Sequence, residues 1–377
     1  MNTLIKPSDP RPAVSAGHNA ALDGLRFLAF LSVFVYHSQY QAPFLVRWVQ
    51  WGKYGVPLFF VLSGFLIGRI LLGLKNDSHG TLNQRLRIFY IRRALRIFPV
   101  YYALLAVLAL SRPFGFAWFD PPQTLLWHAL YLTNVYVDLK QAWIGGASHL
   151  WSLSVEEHFY LLAPLAILTV PTERLAKGFV WLWIALAIAR VFCWRSGDEF
   201  LQYLSPMQFD YLTVGVAAAM VETGAGFLGV RNDLLKRAAL ISGGVCIPVI
   251  LLGGAPMAAA QIFSAAAGQW LLAVAFAGLV LTLWRGRGGS LQRLLSHPAP
   301  VHLGRISYGL YLFHNFFLVS CATVPALRAF HGALIPAAAL ALTYASAAVS
   351  WRFLEAPIND LKRRFPYAAS IGTRQSR

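Results

Sequence analysis

Three groups of side chains in this chain could do chemistry, and each lies in or beside apolar sequence. The first is Arg26 and His37 in the run from Leu22 to His37. Eleven residues at 3.6 per turn make nearly three turns, so a helix sets both side chains on one face, about 16 Å apart. A charge facing lipid costs several kcal/mol, so such a pair points to a polar interior with an acid–base group at one end. Asp23, one turn below Arg26, is placed to pair with it. Snorkelling of each residue to its nearer interface would account for either one alone.

The second group is the basic run Arg85, Arg87, Arg92, Arg93 and Arg96, just before Pro99. Arg92 and Arg96 are four apart, and Arg93 and Arg96 three apart. On a helix either pair makes a two-pronged cationic face, which suits a polyphosphate. The plain account is a basic loop on the cytoplasmic side of a membrane. The third group is the run Ser148-His149-Leu-Trp151-Ser152-Leu-Ser154-Val-Glu156-Glu157-His158. Two carboxylates and an imidazole at the outer mouth of a span are costly unless used or satisfied. Successive helical residues diverge by about 100°, so one Glu can face the interior while the other reaches the interface. A Glu beside a His can fix its tautomer. A serine N-cap with an acidic first turn is the structural alternative. Three further features read as structural before catalytic. Asp210 can pair with Arg190 or Arg195, Ser307, Tyr311 and His314 share a helical face, and Arg352 and Glu355 are spaced as a local ion pair.

The elements that must carry these groups follow from composition. The 377 residues are 57% hydrophobic and only 12% charged, against about 25% charged in a soluble chain. A soluble enzyme, a disordered chain and a disulfide scaffold are all excluded as readings. The expected class is an all-α polytopic integral membrane protein. Ten stretches approach the roughly 20 apolar residues of a spanning helix: 20–40, 55–74, 97–111, 152–170, 178–194, 206–222, 237–253, 266–284, 304–323 and 333–353. An eleventh, 124–138, carries His128 and Asn134 and reads as external or re-entrant. With ten spans and cytoplasmic termini, twenty-two of the 32 Lys and Arg fall on the cytoplasmic side, six opposite and four within spans. A spanning 124–138 would swap every later loop and destroy that bias. The net charge of +17 therefore reads as topology and not as nucleic-acid binding. Cys193, Cys246 and Cys321 offer no Cys-rich metal site, and no metal is expected. Residues 1–19 read as a cytoplasmic tail, 20–358 as the membrane domain and 359–377 as a basic cytoplasmic tail.

The order of these segments resembles the acyltransferase family 3 membrane proteins, the family of bacterial O-antigen and exopolysaccharide O-acetylases. The pieces that carry the resemblance are Leu-Asp-Gly-Leu-Arg26 to His37, Gly55 to Ile67, Arg92-Arg93-Ala-Leu-Arg96-Ile-Phe-Pro99, His149 to Tyr160, Ser307 to His314 and Phe353-Leu-Glu355-Ala-Pro357. The resemblance implies acyl transfer, acetyl by default, from a cytosolic acyl-CoA to a hydroxyl on a glycan or glycolipid, in a bacterial cytoplasmic membrane. It implies that Arg26 and His37 are the family's R-x10-H pair, that Arg93 and Arg96 match its R-x-x-R, with Arg92 beside them, and that Glu157 is its motif glutamate. His158 stands where such proteins commonly carry Gln. Many relatives add a C-terminal SGNH-type domain. The sequence ends soon after the tenth expected span, so acceptor handling is expected from the membrane domain or another protein.

The expected mechanism docks the CoA phosphates on Arg93 and Arg96, threads the pantetheine arm past Arg26, and uses His37, oriented by Glu157, as general base. Trp151, Glu156, His158, Asp210 and His314 are candidates to line the acceptor side. Two other readings stay open at this stage. One is a glycolipid transporter or flippase with the same charges lining its pathway. The other is a different membrane O-acyltransferase fold.

Overall fold

The computed structural model describes residues 19–41, 52–77, 80–111, 124–229, 268–328 and 334–367. Among these residues every regular element is helical. In chain order they are α1 (Ala20–His37), α2 (Gly55–Asn76), α3 (Leu82–Ser111), α4 (Thr124–Ala129), α5 (Thr133–Lys140), α6 (Trp151–Thr169), α7 (Thr172–Ser196), α8 (Ser205–Glu222), α9 (Gln269–Trp284), α10 (Gly289–Leu295), α11 (Pro298–Arg305), α12 (Ser307–Thr323) and α13 (Leu334–Ser350). Asn19 caps α1 through its side-chain oxygen, bonded to the Ala21 and Leu22 amides, and so fixes where the first helix begins.

Five helices are long and apolar enough to cross a membrane, or six if α9 and α10, bent by 77°, form one broken span. The expected spans 152–170, 206–222 and 304–323 are present as α6, α8 and α12 but are not among them, α12 being only 17 residues long. These helices carry Glu156, Glu157, Asp210 and His314. They bury those polar faces against other helices, leaving the more apolar α1, α2, α3, α7 and α13 as the evident spans. The expected span 237–253 lies outside the described residues. Segment 124–138 is two short helices joined at Tyr131, whose φ is +55°. The longer has eight residues, about 12 Å, and cannot cross a core about 30 Å thick.

The stretch 75–96, read from sequence largely as a loop, is different. The basic run lies on α3 itself, a continuous helix of 30 residues. Arg, Leu and Ala are strong helix formers, and at about 45 Å the helix exceeds the hydrocarbon core. The arginines therefore occupy a rigid face. Close helix packing positions the rest. A Cβ on Gly64 of α2 would lie 1.9 Å from the Leu212 carbonyl oxygen, and one on Gly215 of α8 would lie 2.2 Å from that of Val61. Gly24 of α1 meets Leu295 and Gly304 of α11 meets Asp23 in the same way, which seats the Arg26 end of α1.

Candidate active site

Around the C-terminal end of α1, three histidines converge from α1, α12 and the turn before α6. His37 Nδ1 lies 2.7 Å from His314 Nε2, with the rings stacked at 5.0 Å. His314 Nδ1 lies 2.6 Å from the Tyr311 carbonyl oxygen. A carbonyl only accepts, so His314 Nδ1 carries the proton and donates. Neutral His314 then offers a lone pair at Nε2, and His37 must donate from Nδ1. This assignment leaves the His37 Nε2 lone pair free to take a proton. His314 is fully buried, whereas His37 is partly accessible, so the accessible ring is the one poised as a base.

His149 packs edge-on against His314, with centroids 4.9 Å apart. Its ring spans two carbonyls, Gly146 at 3.0 Å from Nδ1 and Leu312 at 3.1 Å from Nε2. Burial pulls its pKa down to about 4, outweighing the opposing pull of those carbonyls, so the imidazole is neutral at pH 7. Tyr311 Oη and Ser152 Oγ are hydrogen-bonded to each other at 2.5 Å and each lies 3.1 Å from the His149 carbonyl oxygen, which accepts from this pair, and Asn315 Nδ2 donates to the Gly146 carbonyl at 2.9 Å. The turn before α6 is thus stitched to α12. The expectation that Glu157 orients His37 is not met, because His314 holds that imidazole. Sequence spacing set His314 on a face with Ser307 and Tyr311 but gave no sign that this face meets α1.

A second centre lies toward the opposite end of α1. Arg26 pairs with Asp23 at 2.7 Å and shares electrostatic range with Arg96, which also senses Arg93, Tyr160 and Glu355. Glu156 accepts a hydrogen bond from Ser63 Oγ of α2 at 2.6 Å and is within range of Arg96 and Arg26. The two carboxylates thus share their surroundings with the cations, Glu156 with Arg96 and Arg26 and Glu157 with Arg93. Glu157 is partly accessible. Its electrostatic neighbours are Glu156 and Arg93 and the hydroxyls of Tyr101, Tyr131 and Tyr308. Arg93 lies over the rings of Phe89 and Tyr160 at 5.7 and 5.9 Å, with a buried Nε that has no hydrogen-bond partner. Among the described residues neither Arg93 nor Arg96 makes an ion pair, so both retain donors for an anionic ligand.

Arg92 is committed elsewhere. Its Nη1 donates to the carbonyls of Lys362 and Phe365, each at 2.8 Å, and its guanidinium covers the Tyr367 ring at 4.4 Å. Asp210 forms a buried ion pair with Arg190 at 2.8 Å, one of the two partners expected from sequence. His158 Nδ1 is hydrogen-bonded to Ser205 Oγ at 2.5 Å, and Ser205 accepts from Asn134 Nδ2 at 2.8 Å. His158 therefore belongs to an α5–α6–α8 contact. Trp151 packs edge-on against Phe60 and Tyr203. Sequence reasoning missed Tyr131, whose buried hydroxyl has no hydrogen-bond partner. It also missed the buried Arg69–Glu222 pair at 2.7 Å and Lys362. Among the described residues no three His, Cys, Asp or Glu side chains are grouped to hold a metal ion.

The chain is 29% identical over 365 residues to the peptidoglycan O-acetyltransferase OatA of Listeria monocytogenes, covering 90% of this chain and 55% of that protein. It is 26% identical over 383 residues to the O-acetyltransferase OatA of Staphylococcus aureus, covering 94% and 59%. The chain thus spans somewhat more than half the length of these relatives. No solved structure matches it. Residues 19–353 match the acyltransferase domain that defines acyltransferase family 3, and the chain belongs to that family.

Proposed function

We propose that this protein is a membrane O-acyltransferase that moves an acyl group, acetyl by default, from cytosolic acyl-CoA to a hydroxyl of a glycan or glycolipid. In this reading it lies in a bacterial cytoplasmic membrane with ten spans and both termini cytoplasmic. Arg93 and Arg96 take phosphates of the donor, and Arg26 sits between them and the histidines. His37 Nε2 removes the proton of the acceptor hydroxyl while its oxygen attacks the thioester carbonyl. The new C–O bond forms, the C–S bond breaks, and the proton passes from His37 to the leaving thiolate. His314 keeps His37 in the productive tautomer and remains neutral, so it can accept from the imidazolium as well. The observation that carries this reading is the His37–His314–carbonyl chain, set along one helix from a cation cluster with unpaired donors.

The test is release of free thiol from acetyl-CoA by purified protein, with and without acceptor. His37→Ala should lower acceptor-dependent release by about 10²-fold or more. Arg93→Ala should raise the KM for acetyl-CoA about tenfold. If both variants acylate acceptor at near the wild-type rate, the assignment is wrong. Solute movement across a vesicle membrane without thiol release would establish the transporter reading in its place.

A further inference from the structure

We propose that Lys362 belongs to the phosphate-binding cluster, with Arg92 as the residue that seats it. This rests on the donor assignment made above. The last described turn, Leu361–Arg364, folds back onto the basic face of α3. Arg92 holds it there by two hydrogen bonds to main-chain carbonyls and by contact with the Tyr367 ring. The turn carries Lys362 into electrostatic range of Arg92, Arg93 and Arg96. Four cations thus gather at one end of the bundle, where Glu355 is in range of Arg96 and Lys362, Glu156 of Arg96, and Glu157 of Arg93. Glu355 is itself buried and bonded by Ser350 Oγ at 3.1 Å. Among the described residues Lys362 makes no ion pair. Its ammonium donates to Asn359 Oδ1, and two further N–H donors remain.

Like charges brought together by a docked turn oppose the folded state unless an anion joins them. A group with several phosphates, such as the nucleotide end of CoA, supplies that anion. Arg93 and Arg96 offer planar forks, and Lys362 offers a compact point charge. Arg92 spends its donors on the carbonyls of the turn, so it acts through Lys362. The same chemistry could come from anionic lipid headgroups, and the test separates the two.

Full-length protein in nanodiscs is assayed with acetyl-CoA and with acetyl-pantetheine, which lacks the phosphates. Lys362→Gln is expected to narrow the preference for acetyl-CoA over acetyl-pantetheine about tenfold, and Lys362→Arg to restore most of it. Arg92→Gln is expected to do the same, with little further loss in the double variant, since both act on one contact. Equal losses on both donors would mean that Lys362 only stabilises the fold, and would overturn the assignment. So would fully additive losses from the two variants. Unchanged CoA affinity, with a Lys362→Gln effect that follows the anionic lipid content, would assign the cluster to lipid and overturn it as well. Wild-type protein that binds no CoA would overturn this assignment together with the donor assignment beneath it, whereas normal CoA binding by Lys362→Gln would overturn this one alone.

Discussion

His37 and His314 lie 277 residues apart in sequence, and one hydrogen bond between them settles which nitrogen of His37 is free. The tautomer follows from a backbone carbonyl that can only accept, so it does not depend on a nearby carboxylate. His314→Ala removes the acceptor for His37 Nδ1–H and lets the ring adopt either tautomer. The expected result is a fall in kcat on the order of 10²-fold, with little change in the KM for the acyl donor. His314→Gln should recover part of that rate, because its amide oxygen can accept the same bond. Steady-state kinetics on the three proteins decide it. A His314→Ala enzyme within about twofold of wild type would reduce the pair to packing.

At the scale of elements, the site depends on how closely helices approach. Gly64 and Gly215 let α2 and α8 touch backbone to backbone, and this contact brings Ser63 to Glu156 and holds the inner helix α8 in place. A methyl on Gly64 would meet main-chain atoms that cannot swing away. Gly64→Ala should therefore destabilise the protein by about 1–3 kcal/mol, read as a lower thermal midpoint in detergent. Gly178 of α7 has nothing within 4 Å of its would-be Cβ, so Gly178→Ala should be neutral or stabilising by up to about 1 kcal/mol. Periodicity in the sequence marked the positions of most helices, but the start of α3 was hidden by its own charges. An arginine-rich run reads as a loop when hydropathy alone is weighed, although its residues favour helix.

The whole molecule should respond to pH through two buried histidines outside its spans. Burial lowers His149 to about 4. Burial, and then the charge of His149, lowers His128 to about 3. Unfolded, each titrates near 6.5. Between those values the unfolded chain binds more protons than the folded one, so stability falls as pH drops from about 6.5 toward 4 and is level in these two groups above about 7. Thermal midpoints measured from pH 7.5 to 5 should show this decline, on the order of a few kcal/mol in all. His128→Asn should flatten it. A wild-type midpoint that holds or rises as pH falls from 6.5 to 5 would contradict the buried, neutral state of both rings.

The sequence by itself determined the quantities that are local to one helix. Composition fixed a helical protein built for a membrane. The 3.6-residue repeat put Arg26 and His37 on one line, set Arg93 beside Arg96, and placed His314 one turn from Tyr311. Tertiary structure decided which of these faces meet. It gave His37 to His314, set Glu156 and Glu157 among the arginines, bound Arg92 to the turn at Leu361–Arg364, and brought Lys362 to the arginines. The physical reason is range. Helical periodicity is set by bonds within four residues, whereas the partner of a helix face is chosen by shape, close glycine contacts and the need to bury charge among segments hundreds of residues apart.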